Sequence, residues 1–243
     1  MTLRYGRAGS GEPLLLLHSG VCDARMWDPQ WEALAARFLV VRPDLRGFGE
    51  TPYEAAGPYS DVGDVTELLA SLGLSRVAVA ASSYGCHVAL QLAQAGLVSR
   101  MVLLNPGSDL PATPDKKAFG AEENRLLEAG DVAAATDLNV RTWLGPSATA
   151  EMRAFVGEMQ RHAFELQLAG EELAQVDHEV TLTLIETPAL VVGGGHDLPF
   201  FRESARHVAA SLPNGRLVEL EWAGHLPGLE RPEEIAALLL DYL

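Results

Sequence analysis

The sequence predicts an α/β fold: a doubly wound, mostly parallel sheet with a helical cap inserted between two of its strands. Three observations lead there. Short apolar runs such as Leu14 to Leu17 and Ala189 to Val192 end in turn residues, as strands buried on both faces do. Between such runs lie stretches with helical spacing, and strict alternation of the two is the signature of right-handed βαβ crossovers. The alternation then breaks from Asn105 to Thr187, where spacing is helical throughout with no convincing strand.

In order, YGRAGSGEP reads as a turn-rich lead-in, punctuated by Gly6, Gly9, Gly11 and Pro13. Leu14 to Leu17 is a strand ending in His18-Ser19-Gly20. Asp23 to Phe38 reads as a helix, with Trp31, Leu34, Ala35 and Phe38 on one side and Pro29 in its first turn. Leu39 to Arg42 is a strand that runs into the loop PDLRGFGETP. Ser60 to Leu72 is a capped helix whose apolar face carries Val65, Leu68 and Leu69. Arg76 to Ala81 is a strand, Tyr84 to Gly96 a helix, and Met101 to Leu104 a strand. After the insertion come strand Ala189 to Val192, helix Phe200 to Leu212, strand Arg216 to Trp222 and a closing helix Arg231 to Leu243. The domain reading is thus a core of residues 1–108 and 187–243, with 109–186 as the cap. At 243 residues, one sizeable core is the expected size.

Composition narrows the function classes. A formal net charge of −15, with Lys116 and Lys117 the only lysines, argues against a nucleic-acid or anionic-membrane partner, because phosphate binding needs a basic patch. No apolar run approaches the ~20 residues that span a bilayer, and the start lacks the long apolar segment of a signal peptide, so a cytoplasmic location is expected. Cys22 and Cys86 form neither a disulfide framework nor a zinc site; no metal and no cofactor is predicted. Each is read as a small buried side chain; both follow candidate oxyanion elements, and if the two lie close in space their oxidation would disturb the site.

In an open parallel sheet, ligands bind beyond the carboxyl ends of the strands. Four turns lie there: His18 to Cys22, Ser82 to Cys86, Gly193 to Asp197 and Gly224 to Leu226. The second places Ser83 between a strand and a helix, flanked two residues away by Ala81 and Gly85. Small neighbours are needed where a serine is pushed out of such a turn. Shifting the frame to Ser82 would put Tyr84 at a position requiring a small residue. The chain order Ser, Asp, His at successive strand ends matches that of nucleophile-elbow hydrolases.

With LLLLHSG, VVRPDLRGFGET, VAVAASSYGCHVAL, ALVVGGGHD and WAGHLPGLERPEEI, the chain resembles the α/β-hydrolase superfamily across nearly its whole length outside the insertion. HSGVCDARMWDPQ is similar to the corresponding loop of the enol-lactone hydrolase and small-esterase branch. The resemblance implies Ser83 as nucleophile, His225 as general base and Asp197 as the carboxylate that orients it. It implies backbone N–H groups of Tyr84 and Gly20 as oxyanion donors, with Val21 the fallback for Gly20. The chain departs from the family pattern at Ala81, Cys86 and Ser19, where relatives carry glycine. Asp109 is a weaker rival for the acid. Val21, Trp143 and His196 are the candidate substrate contacts, and of the insertion's Phe119, Leu126, Trp143, Met152, Phe155, Met159, Phe164 and Leu168 two or three are expected to line a pocket. His18 is read as structural, Asp44 and Arg46 as holding their loop.

These readings predict hydrolysis of a small carboxylic ester or lactone with an apolar part, through a Ser83 acyl-enzyme and without a cofactor. Carbon–carbon hydrolysis of a diketone uses the same residues and is the alternative, with perhydrolase side activity also open. A non-catalytic binding protein that keeps the pocket is the alternative of another class. The sequence is compatible with a homodimer.

Overall fold

The computed structural model describes residues 3–171 and 173–243; Met1 and Thr2 of the lead-in and Glu172 of the insertion lie outside it. The chain begins with strands β1 (Tyr5–Ala8) and β2 (Glu12–Leu17), a 3-10 turn at Ala24–Trp27, helix α1 (Asp28–Ala35) and strand β3 (Phe38–Pro43). Helix α2 (Asp61–Ser71), strand β4 (Val77–Ser82), helix α3 (Tyr84–Gln94) and strand β5 (Val98–Leu104) follow. Three helices come next: α4 (Pro114–Glu128), α5 (Val132–Trp143) and α6 (Ala150–Ala169). Strand β6 (Ala189–Gly194), helix α7 (Pro199–Ser211), strand β7 (Gly215–Leu220) and helices α8 (Pro227–Glu230) and α9 (Pro232–Tyr242) close the chain.

Among the described residues seven strands form one sheet, in the order β1-β3-β2-β4-β5-β6-β7. Only β1 runs antiparallel to its neighbour, Tyr5 facing Pro43 and Ala8 facing Val40. The sheet is therefore doubly wound and mostly parallel, as predicted. Side chains alternate across it: Leu15, Leu17, Val79, Ala81 and Leu103 pack with α2, α3 and α7 on one face. Leu14, Leu16, Ala78, Ala80 and Leu104 pack with Trp27, Leu34, Ile235 and Leu239 on the other. Each of Leu14 to Leu17 is fully buried, a gain of roughly 1.5–3 kcal/mol per side chain. Burial on both faces is what makes these strands read as unbroken apolar runs.

Two expectations need correction. The lead-in is not a simple turn, because Tyr5–Ala8 is an edge strand paired with β3. Its sequence, YGRA, alternates between exposed and half-buried positions and leaves no apolar period to read. The helix expected over 23–38 is instead a 3-10 turn followed by an eight-residue α-helix. Asp23 caps that turn by accepting the Arg25 N–H at 2.9 Å, and Pro29 then opens α1. No described helix is long and apolar enough to cross a membrane.

The winding reverses between β2 and β4, since β3 lies on one side of β2 and β4 to β7 extend from the other. The carboxyl ends of these two strands therefore open the crevice in which such sheets bind ligands. His18 to Gly20 follow one strand, and Ser83 follows the other.

Candidate active site

Ser83 stands between β4 and α3 with φ 50° and ψ −112°, outside the regions that non-glycine residues prefer. Backbone bonds hold it there: its N–H donates to Leu104 O at 2.9 Å, and its carbonyl accepts from the Cys86 N–H at 2.9 Å. Strain of this kind, worth about 1–3 kcal/mol, persists only where the surroundings over-determine it. Gly85 shows how tightly α3 meets β2, because a Cβ there would lie 2.7 Å from the carbonyl oxygens of both Leu17 and His18. Ala81, by contrast, fits the core with its methyl fully buried. Ser82 points the other way, and its hydroxyl is buried without a partner among the described residues.

His225 Nε2 lies 2.7 Å from Ser83 Oγ, and His225 Nδ1 lies 2.6 Å from Asp197 Oδ2. Both His225 and Asp197 are buried. The second Asp197 oxygen accepts the Leu198 N–H at 2.7 Å, and the His225 N–H donates to Trp143 O at 2.9 Å. A carboxylate at Nδ1 sets that nitrogen as donor and leaves Nε2 to accept a proton from the serine hydroxyl. Asp109, the rival acid, has an exposed carboxylate 3.4 Å from His207 and makes no contact with His225.

Asn105 joins these loops. At φ 49°, directly after β5, its Oδ1 accepts the Gly194 N–H at 2.7 Å while its Nδ2 donates to Gly224 O and His225 O at 3.0 and 2.9 Å. Glu230 adds a second tie, its Oε1 accepting the Gly224 N–H at 2.8 Å. Burial raises the Glu230 pKa, and hydrogen bonds from backbone N–H groups only partly offset it. Neither residue was singled out by the sequence motifs. An Asn-Pro step at a strand end is the one local sign of Asn105.

The two candidate oxyanion donors are close: a Cβ on Gly20 would lie 3.4 Å from Tyr84 Cβ. Among the described residues, neither the Gly20 nor the Tyr84 N–H meets a protein acceptor. The Val21 N–H, the fallback, sits 3.5 Å from Ser19 Oγ. Tyr84 is the first residue of α3, where unpaired N–H groups favour negative charge. Its hydroxyl donates to Asp61, and Gln175 Nε2 bonds both Asp61 Oδ2 (2.8 Å) and the Tyr84 hydroxyl (2.7 Å). Burial and then the Asp61 charge push the Tyr84 phenol well above its ordinary range, so it stays a donor. Asp61 is raised by desolvation against the opposing pull of that bond.

His18 is structural: its Nε2 accepts the Leu45 N–H at 2.9 Å and its Nδ1 faces Ser19 O at 2.9 Å. Asp44 accepts the Ala24 and Glu50 N–H groups at 2.8 and 2.9 Å, and Arg46 pairs with Asp64 at 2.7 Å, fixing the loop after β3. Among the described residues no cluster of His, Cys, Asp or Glu could hold a metal.

A cavity of about 860 Å³ opens above Ser83. Phe200, Phe201, Lys116 and the segment 177–183 supply much of its wall. Of the three expected substrate contacts, none lines it. Trp143 is buried against the imidazole, with ring centroids 4.7 Å apart, and its Nε1 donates to Asn139 at 2.7 Å. His196 is exposed and makes a backbone bond to Ala223, while Val21 is half-buried in the loop after β2 and packs against the core. None of the apolar residues of the insertion's helices from Phe119 to Leu168 lines the cavity either: Leu126 and Phe164 pack among the helices, and Met159 packs onto the sheet. The insertion contributes Asp109, Lys116 and the segment 177–183 instead, with Val180 and Leu182 the apolar part of that wall.

Comparison with known proteins agrees with this architecture. A protein of Pseudomonas savastanoi pv. phaseolicola named as a carbamate hydrolase, RutD, is 29% identical over 95% of this chain and 93% of its own. The structure of a thermophilic esterase from Thermogutta terrifontis superposes with a TM-score of 0.82 at 25% identity, covering 99% of this chain and 92% of that one. The enol-lactonase of Burkholderia xenovorans LB400 shares the fold, with a TM-score of 0.80 at 24% identity over 99% of this chain and 95% of that one. The profile of the alpha/beta hydrolase family matches residues 14–238, and the chain belongs to that family.

Proposed function

We propose that this protein is a serine hydrolase that cleaves a small carboxylic ester or lactone. The observation that carries the reading is the relay Ser83 Oγ, His225, Asp197, with contacts of 2.7 and 2.6 Å, beside a cavity. A serine hydroxyl is a weak nucleophile until a base takes its proton. His225 Nε2 accepts that proton as Ser83 Oγ attacks the substrate carbonyl carbon, and Asp197 stabilises the resulting imidazolium. The N–H groups of Gly20 and Tyr84 receive the oxyanion, the step at which fixed donors contribute most. Collapse returns the electron pair to the carbonyl and expels the leaving oxygen, which takes the proton from His225; in a lactone it stays tethered to the acyl group. Water, deprotonated by His225, then attacks the acyl-enzyme and releases the acid and Ser83. The helical insertion is the cap in this reading, its trailing segment closing one side of the substrate cavity.

Carbamates undergo the same attack at carbonyl carbon, and the similarity to proteins named RutD makes them the second substrate class to assay. The test is a p-nitrophenyl acyl series with lactones, carbamates and diketones alongside, plus labelling by a fluorophosphonate. We expect turnover and labelling in the wild type. Ser83→Ala should lose labelling and roughly 10⁴–10⁶ of kcat. A wild type that neither labels nor turns over any of these would refute the reading and favour a binding protein; full activity in Ser83→Ala would move the nucleophile elsewhere.

A further inference from the structure

The helix that begins at the serine elbow carries a polar stripe, Tyr84, His87, Gln91 and Gln94, spaced by three, four and three residues on one face of α3. All four grip one extended stretch of chain, residues 174–181, by side-chain hydrogen bonds. Gln175 bonds the Tyr84 hydroxyl, Asp177 Oδ1 meets His87 Nε2 at 2.6 Å and Gln91 Nε2 at 2.7 Å, and Gln91 also donates to His178 O at 2.8 Å. Gln94 donates to Glu179 O at 2.9 Å and accepts the Thr181 N–H at 2.7 Å. On its other side the stretch forms a bridge with the segment before α2, the Tyr59 N–H donating to Ala174 O at 3.1 Å and the Val176 N–H to Tyr59 O at 2.6 Å. Part of this strap, 177–181, also lines the cavity that contains Ser83.

One contact differs in kind from the others. Gln175 is exposed, yet its amide reaches a buried carboxylate, Asp61, and the phenol that the carboxylate holds. The bonds are mutually consistent: the phenol donates its single proton to Asp61 and accepts one amide proton, and the amide gives its second proton to the same carboxylate oxygen. The ring of Tyr84 is thus pinned at its far end by α2 and by the strap. Its near end is the backbone whose N–H, at the start of α3, is the candidate oxyanion donor. An oxyanion donor lowers the barrier only when its direction is fixed before the reaction.

We propose that Asp61 and Gln175 are positioning residues that aim the Tyr84 N–H, so that seating of the strap over the cavity and assembly of the oxyanion site are one event. This rests on the hydrolase reading above. Because the donor is used in the transition state, its loss of aim appears in kcat and in binding of tetrahedral mimics, not in KM.

The experiment measures kcat and KM for p-nitrophenyl butyrate and Ki for butylboronic acid in the wild type, Gln175→Leu, Tyr84→Phe and the double variant, with urea unfolding of each. Gln175 is exposed, so that variant reports even if Tyr84→Phe folds poorly. We expect each single variant to lose roughly tenfold in kcat, less than the 10²–10³ of removing a donor outright, with boronate affinity falling in parallel and KM within about twofold. The double variant should be no worse than the poorer single one, because both changes break the same linkage. Unchanged kcat with only a lower unfolding midpoint overturns the proposal, as does a change confined to KM or a multiplicative double variant. A wild type active on the ester with unaffected variants rejects this role alone. A wild type inert toward ester and fluorophosphonate rejects the hydrolase reading and the positioning role with it.

Discussion

Asn105 makes its three side-chain hydrogen bonds to backbone groups at the end of β6 and in the turn after β7, partners that lie 89 to 120 residues away in sequence. Nothing local in the chain could reveal that, because the contacts exist only once β5, β6 and β7 stand side by side. Ser83, Asp197 and His225 are legible for the opposite reason: each sits in a turn whose small residues mark it, such as the Gly-rich 193–195 and the Gly224-His225 step. Glu230 belongs with Asn105. Its raised pKa fixes the sign of a prediction: the carboxyl fits the fold best when protonated, below its ordinary value of 4.5, and the folded state loses stability as pH rises from there through the raised value. Glu230→Gln removes that titration. Urea unfolding at a series of pH values should show a smaller fall in stability above pH 4.5 in the variant than in the wild type, and parallel curves would refute the assignment.

The packing of α3 onto the sheet sets the serine's position at the scale of elements. A methyl at Gly85 would press on two backbone carbonyls at 2.7 Å, which no rotamer change relieves. Gly85→Ala should therefore cost about 1–3 kcal/mol by chemical denaturation, through overpacking, and lower activity by displacing the elbow. A neutral effect on both would mean that α3 is free to shift. Strands buried on both faces and helices with a long apolar stripe were readable because each carries its own period. The edge strand β1 was not, since four half-exposed residues paired on one side need no apolar pattern. The strap at 174–181 was equally silent, being extended and exposed, with its contacts made mostly by polar groups.

For the whole molecule, the two cysteines show how depth overrides sequence position. Cys22 and Cys86 follow adjacent strands but belong to the clusters on opposite faces of the sheet, each fully buried. Burial pushes both thiols well above their ordinary range. The expectation that oxidation at these residues would disturb the site loses its chemical basis, since the reactive species is the thiolate. A thiol reagent should find no reactive group in the native protein and two after denaturation; rapid native labelling of either would contradict the packing.

What the sequence determined by itself was the alternation of strand and helix, the elbow, and the order in which serine, aspartate and histidine arrive at strand ends. These depend on short-range pattern and on chain order, both of which a linear string contains. The tertiary structure alone decided which residues surround those three. It put Trp143 behind the imidazole, left His196 outside, and lined the cavity with Phe200, Phe201 and an extended strap. A cavity wall is made from whichever segments happen to meet, and that meeting follows from how the helices seat on the sheet, a global balance of packing that no single stretch of sequence encodes.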